Sequence, residues 1–415
     1  MSMGAGLIDA AVHDAQAMRR ADAGLLSLAL MDARNRTLGW LAAFEGLPLD
    51  LAFDGFDPPW WLAGQAAWFQ EFWVARHVQR GRGEAADPAG LRLASVEPRA
   101  DGWFGARASG RSQRWQQSPP RLDELQAFLA LTLETTLDLL DKAEPGDQGL
   151  HVFRMALLNE DRLGETLAVL VQGLALGPER YQTLMERGLW PSLPSRSRRD
   201  PLHLPGQMLM LGSPPGGAVP DAERWAHQVQ VPEFEIDAQP VTWSQFVEFV
   251  DDGGYDDRRW WTQAGWTALA ASTRRSPRYV EQMAGGVLAR RQGRLQRLPL
   301  AQALLHVSAH EAVAWCNWSG RRLPTEAEWT LAATTASARG FAWGELLEWV
   351  AGQAGPYPGN PGGPAALDAQ DFVTGWRVLR GASAWGSPRL RHPQARRFAA
   401  PERDELFVGF RSCAV

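Results

Sequence analysis

The sequence predicts an α+β protein with two parts, an N-terminal four-helix bundle followed by an irregular, loop-rich C-terminal domain. Up to about Leu189, apolar residues recur at helical spacing along several long segments, as they do in amphipathic helices. From Gly206 onward the apolar runs are short, and Gly, Pro and Trp are frequent, which is typical of short strands joined by loops. The length of 415 residues suits two or three domains.

Four long segments carry the bundle prediction, and their ends coincide with turn residues. The first two lie on either side of the turn Asp57-Pro58-Pro59, and the third is followed by Pro145-Gly146. Proline is tolerated at a helix start but not in a helix interior, so these prolines mark helix boundaries. The predicted helices cover 25–45, 60–80, 122–142 and 150–177, with a short fifth at 178–187. The Arg-, Gly-, Ser- and Pro-rich stretch 81–120 is long for a structureless loop, so it is either functional or a crossover between helix pairs.

The boundary between the two parts is marked by composition. The segment 190–205 has four prolines, three serines and a basic cluster, as interdomain linkers do. We therefore predict a bundle at 1–190, a linker at 191–205 and a second domain at 206–415. In that domain the alternation in 229–242 predicts a strand pair, Ser308 and Glu311 form a capping box that begins a helix, and 377–381 and 407–412 are predicted short strands.

Composition excludes several classes of function. Lys+Arg 42 against Asp+Glu 47 gives a net charge of −5, which offers no electrostatic footprint for nucleic acid or an anionic membrane. Cys316 and Cys413 are the two cysteines, too few for a disulfide framework. The first residues include Asp9 and His13 where a signal peptide needs an apolar core, and no apolar run approaches the ~20 residues of a membrane span. A soluble, cytoplasmic protein with neither nucleic acid nor membrane as partner is expected.

Long motifs in the second half resemble the sulfatase-modifying-factor domain, the C-type-lectin-like fold of the formylglycine-generating enzyme. They are HVSAHEAVAWCNWSGRRLPTEAEW (306–329), FAWG (341–344), VLRGAS (378–383) and GFR (409–411). The family's usual Gly-Gly-Ser-Trp is Gly381-Ala382-Ser383-Ala384 here, and its usual Asn after Pro-Val-Thr is Trp243. That enzyme needs a close cysteine pair near the C-terminus, where this sequence has Cys413, so oxidation of a sulfatase cysteine is not expected.

The arrangement of a DinB-like bundle before such a domain resembles the selenoneine synthases and the ergothioneine sulfoxide synthases. The passages that carry this resemblance are RTLGWLAAFE (36–45), PPWWLAGQAAWFQEFWVARH (58–77), FRMALLNEDRLGETL (153–167) and RHPQARRFAAPERDELFVGFRSC (391–413). The resemblance implies a non-haem iron enzyme. Such enzymes use Fe(II) and O₂ to join a selenol or thiol to the imidazole carbon of hercynine, a trimethylated histidine.

The three histidines that hold iron in that family are replaced here by Gln65, Asn159 and Leu163. Residues four apart share one helix face, but amides are weak neutral donors and leucine is no ligand. We therefore predict no iron site and no cofactor, with Gln65 and Asn159 hydrogen-bonded to each other and Leu163 filling the third ligand's volume. Glu160 and Glu165, the family's acidic companions, are expected on a solvated or ion-paired helix surface, although a carboxylate site for another metal stays open.

The surface between bundle and second domain is where the family holds its substrates. The resemblance places Arg403, Asp404 and Arg411 there, together with Trp385. Arginine can clamp a carboxylate and a Trp face can hold a trimethylammonium group, so these four are the candidate substrate-binding residues. The alternative for each is structural, with Arg411 pinning a strand and Trp385 filling the core.

Three functions follow from these residues. The first is a diverged, non-catalytic or altered member of the family, which keeps a pocket for a betaine-type amino acid such as hercynine or acts as partner of an active paralogue. The second is an active synthase that forms the C–Se or C–S bond through an unrecognised metal arrangement. The third is a ligand-sensing or scaffold protein, since a fold does not fix a function.

Overall fold

The N-terminal part of the computed structural model is helical, as predicted. The structure describes residues 10–47, 53, 55–105, 111–360 and 372–415. Asp22 caps the second helix by accepting from the Leu25 amide at 2.9 Å, and Pro59 begins the third. The helices of this part are α1 (Ala15–Arg19), α2 (Ala23–Ala42), α3 (Pro59–Phe69), α4 (Ala100–Phe104), α5 (Arg111–Gln116), α6 (Leu122–Asp141), α7 (Asp147–Gly173) and α8 (Pro178–Glu186).

The third helix departs from the prediction, because α3 gives way to a π-helix at Gln70–Ala75 instead of running regularly to position 80. In this π-helix Glu71 is buried, and its carboxylate accepts from the Val96 amide at 2.6 Å and the Ser95 hydroxyl at 2.8 Å. The stretch 81–120, of which 106–110 lie outside the described residues, is thus a crossover from α3 to α6 that is fastened to the bundle.

The C-terminal part consists of short strands, short helices and long connections, as the sequence indicates. Its helices are α9 (Trp243–Asp251), α10 (Gln263–Ser272), α11 (Ala309–Trp318) and α12 (Glu326–Thr335). Its strands are β1 (Leu202–Leu204), β2 (Gln207–Leu211), β3 (His227–Val231), β4 (Phe234–Ile236), β5 (Val280–Gln282), β6 (Leu288–Arg291), β7 (Arg294–Arg297), β8 (Arg321–Arg322), β9 (Leu347–Gln353), β10 (Arg377–Gly381), β11 (Arg396–Ala399), β12 (Val408–Phe410) and β13 (Cys413–Ala414).

The strands form small sheets with the orders β1-β4-β13-β8, β11-β10-β9-β12, β2-β3 and β5-β6-β7. The pairing is antiparallel except between β12 and β9. The strand pair predicted for 229–242 is wrong, because β3 pairs with β2 whereas β4 lies between β1 and β13. The capping box that begins α11 at Ser308 is present, and β10 has the predicted bounds.

One hydrophobic cluster joins the two parts of the chain. It includes Trp40 and Trp61 of the bundle together with Leu346 and Phe407 of the C-terminal part. Phe407 stacks on Trp385 with ring centroids 3.9 Å apart and an interplanar angle of 6°. Since Trp385 and Phe407 belong to the same cluster as the bundle residues, the segment around Trp385 is held against the bundle. Within the described residues, we find no helix with the length and apolar character needed to cross a lipid bilayer.

Candidate functional site

Helices α3 and α7 bring the two substituted amides together. The Asn159 side-chain amide donates to Gln65 Oε1 at 3.2 Å, so the hydrogen bond predicted between them is present. Leu163, one turn further along α7, packs against the shared hydrophobic cluster. Gln65 on α3 is half-buried, whereas the residues beside it on that helix are buried. Asn159 and Leu163 on α7 are also half-buried. Solvent therefore reaches all three positions, and we use the name amide cleft for these three residues.

Behind the amide cleft lies a buried ion pair. Glu160, 1% exposed, accepts from Arg34 Nε at 2.7 Å and from the Gln70 amide at 2.8 Å. Arg34 itself is 2% exposed. The predicted solvated position of Glu160 is therefore wrong, and the ion-paired alternative is correct. Since the carboxylate is neutralised by a guanidinium, it locks α2 and α7 together and does not reach the cleft.

The opposite face of α7 attaches the bundle to the C-terminal part. Asp161 accepts two hydrogen bonds from Arg389, both at 2.8 Å, and Glu165 pairs with Arg397. Both carboxylates are buried. Because they lie four residues apart, they share one helix face and clamp it to the 389–397 segment. Among the residues described, no group of three or more His, Cys, Asp or Glu side chains is placed to hold a metal ion.

Three indole rings near the cleft have unsatisfied donors. The Nε1 atoms of Trp40, Trp61 and Trp385 are buried and meet no hydrogen-bond acceptor in the described part of the chain. All three rings belong to the cluster against which Leu163 packs. Buried donors are rarely left unpaired, so a ligand or water is expected beside them. Sequence reasoning missed Trp40 and Trp61, although the count of 20 Trp against 4 Tyr was a signal.

The two candidate residues of the 403–404 motif lie in different environments. Arg403 is half-buried, forms an ion pair with Glu405, and its guanidinium lies 4.8 Å from the centroid of Phe56, just before α3. Asp404 is buried and is paired with Arg274 and, at 3.4 Å, with Arg278. Arg403 therefore reaches the bundle, whereas the Asp404 carboxylate is engaged within the C-terminal part.

The binding role predicted for Arg411 does not fit its surroundings. Arg411 and Glu348 are both 0% exposed and form a two-pronged ion pair at 2.5 and 2.8 Å. The same guanidinium also donates to the Asp237 carbonyl at 3.0 Å. Its donors are thus committed to joining β12 and β9, which is the strand-pinning alternative. Trp385, 4% exposed and stacked on Phe407, likewise fits the packing alternative, apart from its unpaired Nε1.

The two cysteines are buried thiols. Cys316 is 2% exposed and Cys413 is 0% exposed. Burial raises the pKa of both thiols well above the usual range. A thiol is nucleophilic as its thiolate, so the buried Cys413 fits a packing role and not a reactive one.

Comparison with known proteins connects both halves to characterised relatives. The family described as "Sulfatase-modifying factor enzyme 1-like domain" matches residues 195–355. The hercynine oxygenase of Mycobacterium tuberculosis is 29% identical over 435 residues, covering 93% of this chain and 97% of that protein. The hercynine oxygenase of Mycolicibacterium thermoresistibile is 29% identical over 444 residues, covering 93% and 94%. The formylglycine-generating enzyme of Streptomyces coelicolor is 32% identical over 171 residues, covering 38% of this chain and 54% of that one.

Proposed function

Because the chain is a member of an ergothioneine- and selenoneine-synthase-like family, we propose that it binds a betaine-type amino acid such as hercynine without iron-dependent chemistry. The observation that carries this proposal is the hydrogen bond between Gln65 and Asn159. The family's iron does not fit these positions. Gln65 Oε1 is occupied by the Asn159 amide, and the Leu163 side chain has no donor atom, so no facial set of ligands can form.

The amide pair has a polarity that suits an imidazole ring. Once Asn159 has donated to Gln65, the Gln65 amino group and the Asn159 carbonyl have no other partner among the described residues. The Gln65 amino group offers N–H donors, and the Asn159 carbonyl offers an acceptor. A neutral imidazole offers one acceptor nitrogen and one N–H, which is the complementary pattern. The name of these relatives, hercynine oxygenase, refers to an imidazole-bearing compound of this class.

The remaining groups of a betaine can also be accommodated. The carboxylate would pair with Arg403, whose guanidinium reaches the bundle near Phe56. The trimethylammonium group would lie against an indole face by cation–π attraction. One face of Trp61 is covered by the Arg114 guanidinium at 4.0 Å, and one face of Trp385 by the Phe407 ring at 3.9 Å. The opposite faces of these two rings are the candidate faces. A pocket that binds without transforming suits a ligand sensor or the partner of an active paralogue.

Metal analysis of the purified chain tests the loss of iron chemistry. We expect iron far below one per chain and no hercynine-dependent O₂ uptake after anaerobic incubation with Fe(II), because the cleft lacks imidazole and carboxylate ligands. Inductively coupled plasma mass spectrometry and an oxygen electrode measure the two quantities. Near-stoichiometric iron that a chelator removes together with O₂ uptake would reverse the proposal in favour of an active synthase.

Calorimetric titration with hercynine tests the pocket itself. Asn159→Leu is expected to raise the Kd about tenfold, since a hydrogen bond contributes roughly 1–1.5 kcal/mol. Gln182→Leu is the matched control, because Gln182 is an exposed amide on α8 that pairs with Glu186. Absence of heat with the wild-type chain, or an equal Kd in Asn159→Leu, would leave the scaffold function.

A further inference from the structure

A second polar site lies where the β6–β7 hairpin meets the bundle. The Gln172 side-chain amide at the end of α7 donates to the Arg290 carbonyl at 3.0 Å. The next residue, Arg291, is half-buried, and its guanidinium lies 5.8 Å from the centroid of the Trp243 ring. Its side chain makes no hydrogen bond or ion pair with any residue that the structure describes. Burial lowers the pKa of Arg291 to about 10.

Two aromatic side chains lie on segments beside Arg291, since the Arg290 amide donates to the Tyr279 carbonyl at 2.8 Å. The Tyr279 and His306 rings meet edge to face with centroids 4.9 Å apart, and the Arg278 guanidinium lies 5.6 Å from the Tyr279 centroid. His306 is 3% exposed. Burial, followed by the positive charges of Arg291 and Arg278, lowers the pKa of His306 to about 3. The imidazole is therefore neutral, and it lies within electrostatic reach of both guanidiniums.

The cluster has more donors and more positive charge than its neighbours satisfy. Arg291 Nη2, Tyr279 Oη and Trp243 Nε1 are buried and lack hydrogen-bond partners in the described part of the chain. Arg278 has Asp404 as a counter-ion at 3.4 Å, whereas Arg291 has none among the described residues. A buried charge is normally paired, and a buried donor without an acceptor is unfavourable. An anion would satisfy both requirements at once.

We propose that Trp243, Arg278, Tyr279, Arg291 and His306 form a binding site for a small carboxylate, here called the Arg291 site. A carboxylate accepts a forked pair of hydrogen bonds from a guanidinium, and its second oxygen can accept from the Tyr279 hydroxyl. The Trp243 ring supplies an apolar wall for the rest of the ligand. Gln172, which contacts the hairpin backbone beside this site, is 13 residues from Asn159 on α7, about 20 Å along the helix axis. On its other side the Arg291 site borders the Trp385–Phe407 stack, since the His306 and Phe407 ring centroids are 5.4 Å apart.

Titration of the full chain with sodium acetate at pH 7 and constant ionic strength tests the Arg291 site. We expect a saturable rise of the melting temperature and a calorimetric Kd that increases at least about tenfold in Arg291→Gln, because a charge-assisted hydrogen bond contributes about 1.5–3 kcal/mol. Arg290→Gln is the matched control. Its side chain is exposed and paired with Glu281, so its acetate response should equal that of the wild type.

A more conservative substitution keeps the site testable if Arg291→Gln does not fold. Tyr279→Phe removes one hydroxyl and is expected to weaken acetate binding by about threefold to tenfold, with an unchanged circular dichroism spectrum. Sodium chloride and phosphate at the same ionic strength are the comparison arms. Equal responses of wild type and Arg291→Gln to acetate would overturn the site. A chloride response as large as that of acetate, or tighter binding of phosphate, would overturn its assignment to a carboxylate.

Discussion

Gln65→His, Asn159→His and Leu163→His introduced together are expected to give a chain that binds about one Fe(II), whereas the wild type binds none. Positions 159 and 163 lie one turn apart on α7, a spacing of about 6 Å along the axis. Position 65 on α3 already lies within hydrogen-bond distance of position 159, at 3.2 Å. Three imidazoles there would converge on one point, and their half-exposed positions would let the ion enter.

The matched control for this gain of metal is Gln65→His with Asn159→His alone. It supplies two imidazoles and retains Leu163, so its iron should be lost on gel filtration. Metal content per chain, together with the electron paramagnetic resonance signal of the nitric oxide adduct, measures the site. A folded triple variant that holds no more iron than this double variant would mean that α3 and α7 do not present these positions to one ion.

The features that could be predicted from the sequence depend on local patterns of residues. Helix starts depend on a few neighbouring residues, so the four residues from Ser308 to Glu311 are enough to identify the capping box. The Gln65–Asn159 contact was predictable for a related reason, because a lone amide on an apolar helix face needs a partner. Each offered the other the nearest polar group on a facing helix.

The features that sequence could not predict depend on partners far along the chain. Glu160 on α7 has the pattern of a surface residue, yet its counter-ion Arg34 lies 126 residues away and both are buried. Helical periodicity reports which face a residue occupies but not whether that face meets water or a guanidinium. The pairing of β4 with β1 and β13 was not predicted for the same reason, since sheet partners compete globally.

The Arg291 site could not be predicted from the sequence, because its central residue, Arg291, is identified by lacking a counter-ion among the described residues. A hairpin arginine is normally solvated. Arg291 becomes a candidate binding residue only because Trp243 and the end of α7 cover the hairpin. The indole donors of Trp40 and Trp61 are similar, since a count of tryptophans does not say which ones fail to find an acceptor.

Arg411→Met is expected to lower the free energy of unfolding by about 3–5 kcal/mol, the cost of leaving one member of a buried ion pair uncompensated. Glu348, at 0% exposure, would then keep the Trp329 Nε1 donor at 3.0 Å but no cation. Because Arg411 joins β12 to β9 and is remote from solvent, the folded fraction should bind hercynine with the wild-type Kd. Urea unfolding and calorimetry separate the two effects.

Arg403→Met is the matched partner of that experiment and is expected to behave in the opposite way. Its guanidinium is half-buried and shared between Glu405 and the Phe56 ring, so its loss should cost roughly 1 kcal/mol or less of stability. If it holds the ligand carboxylate, the Kd for hercynine should rise about tenfold or more. A larger loss of hercynine affinity in folded Arg411→Met than in Arg403→Met would return the binding role to Arg411, because a buried structural pair cannot act selectively on the ligand.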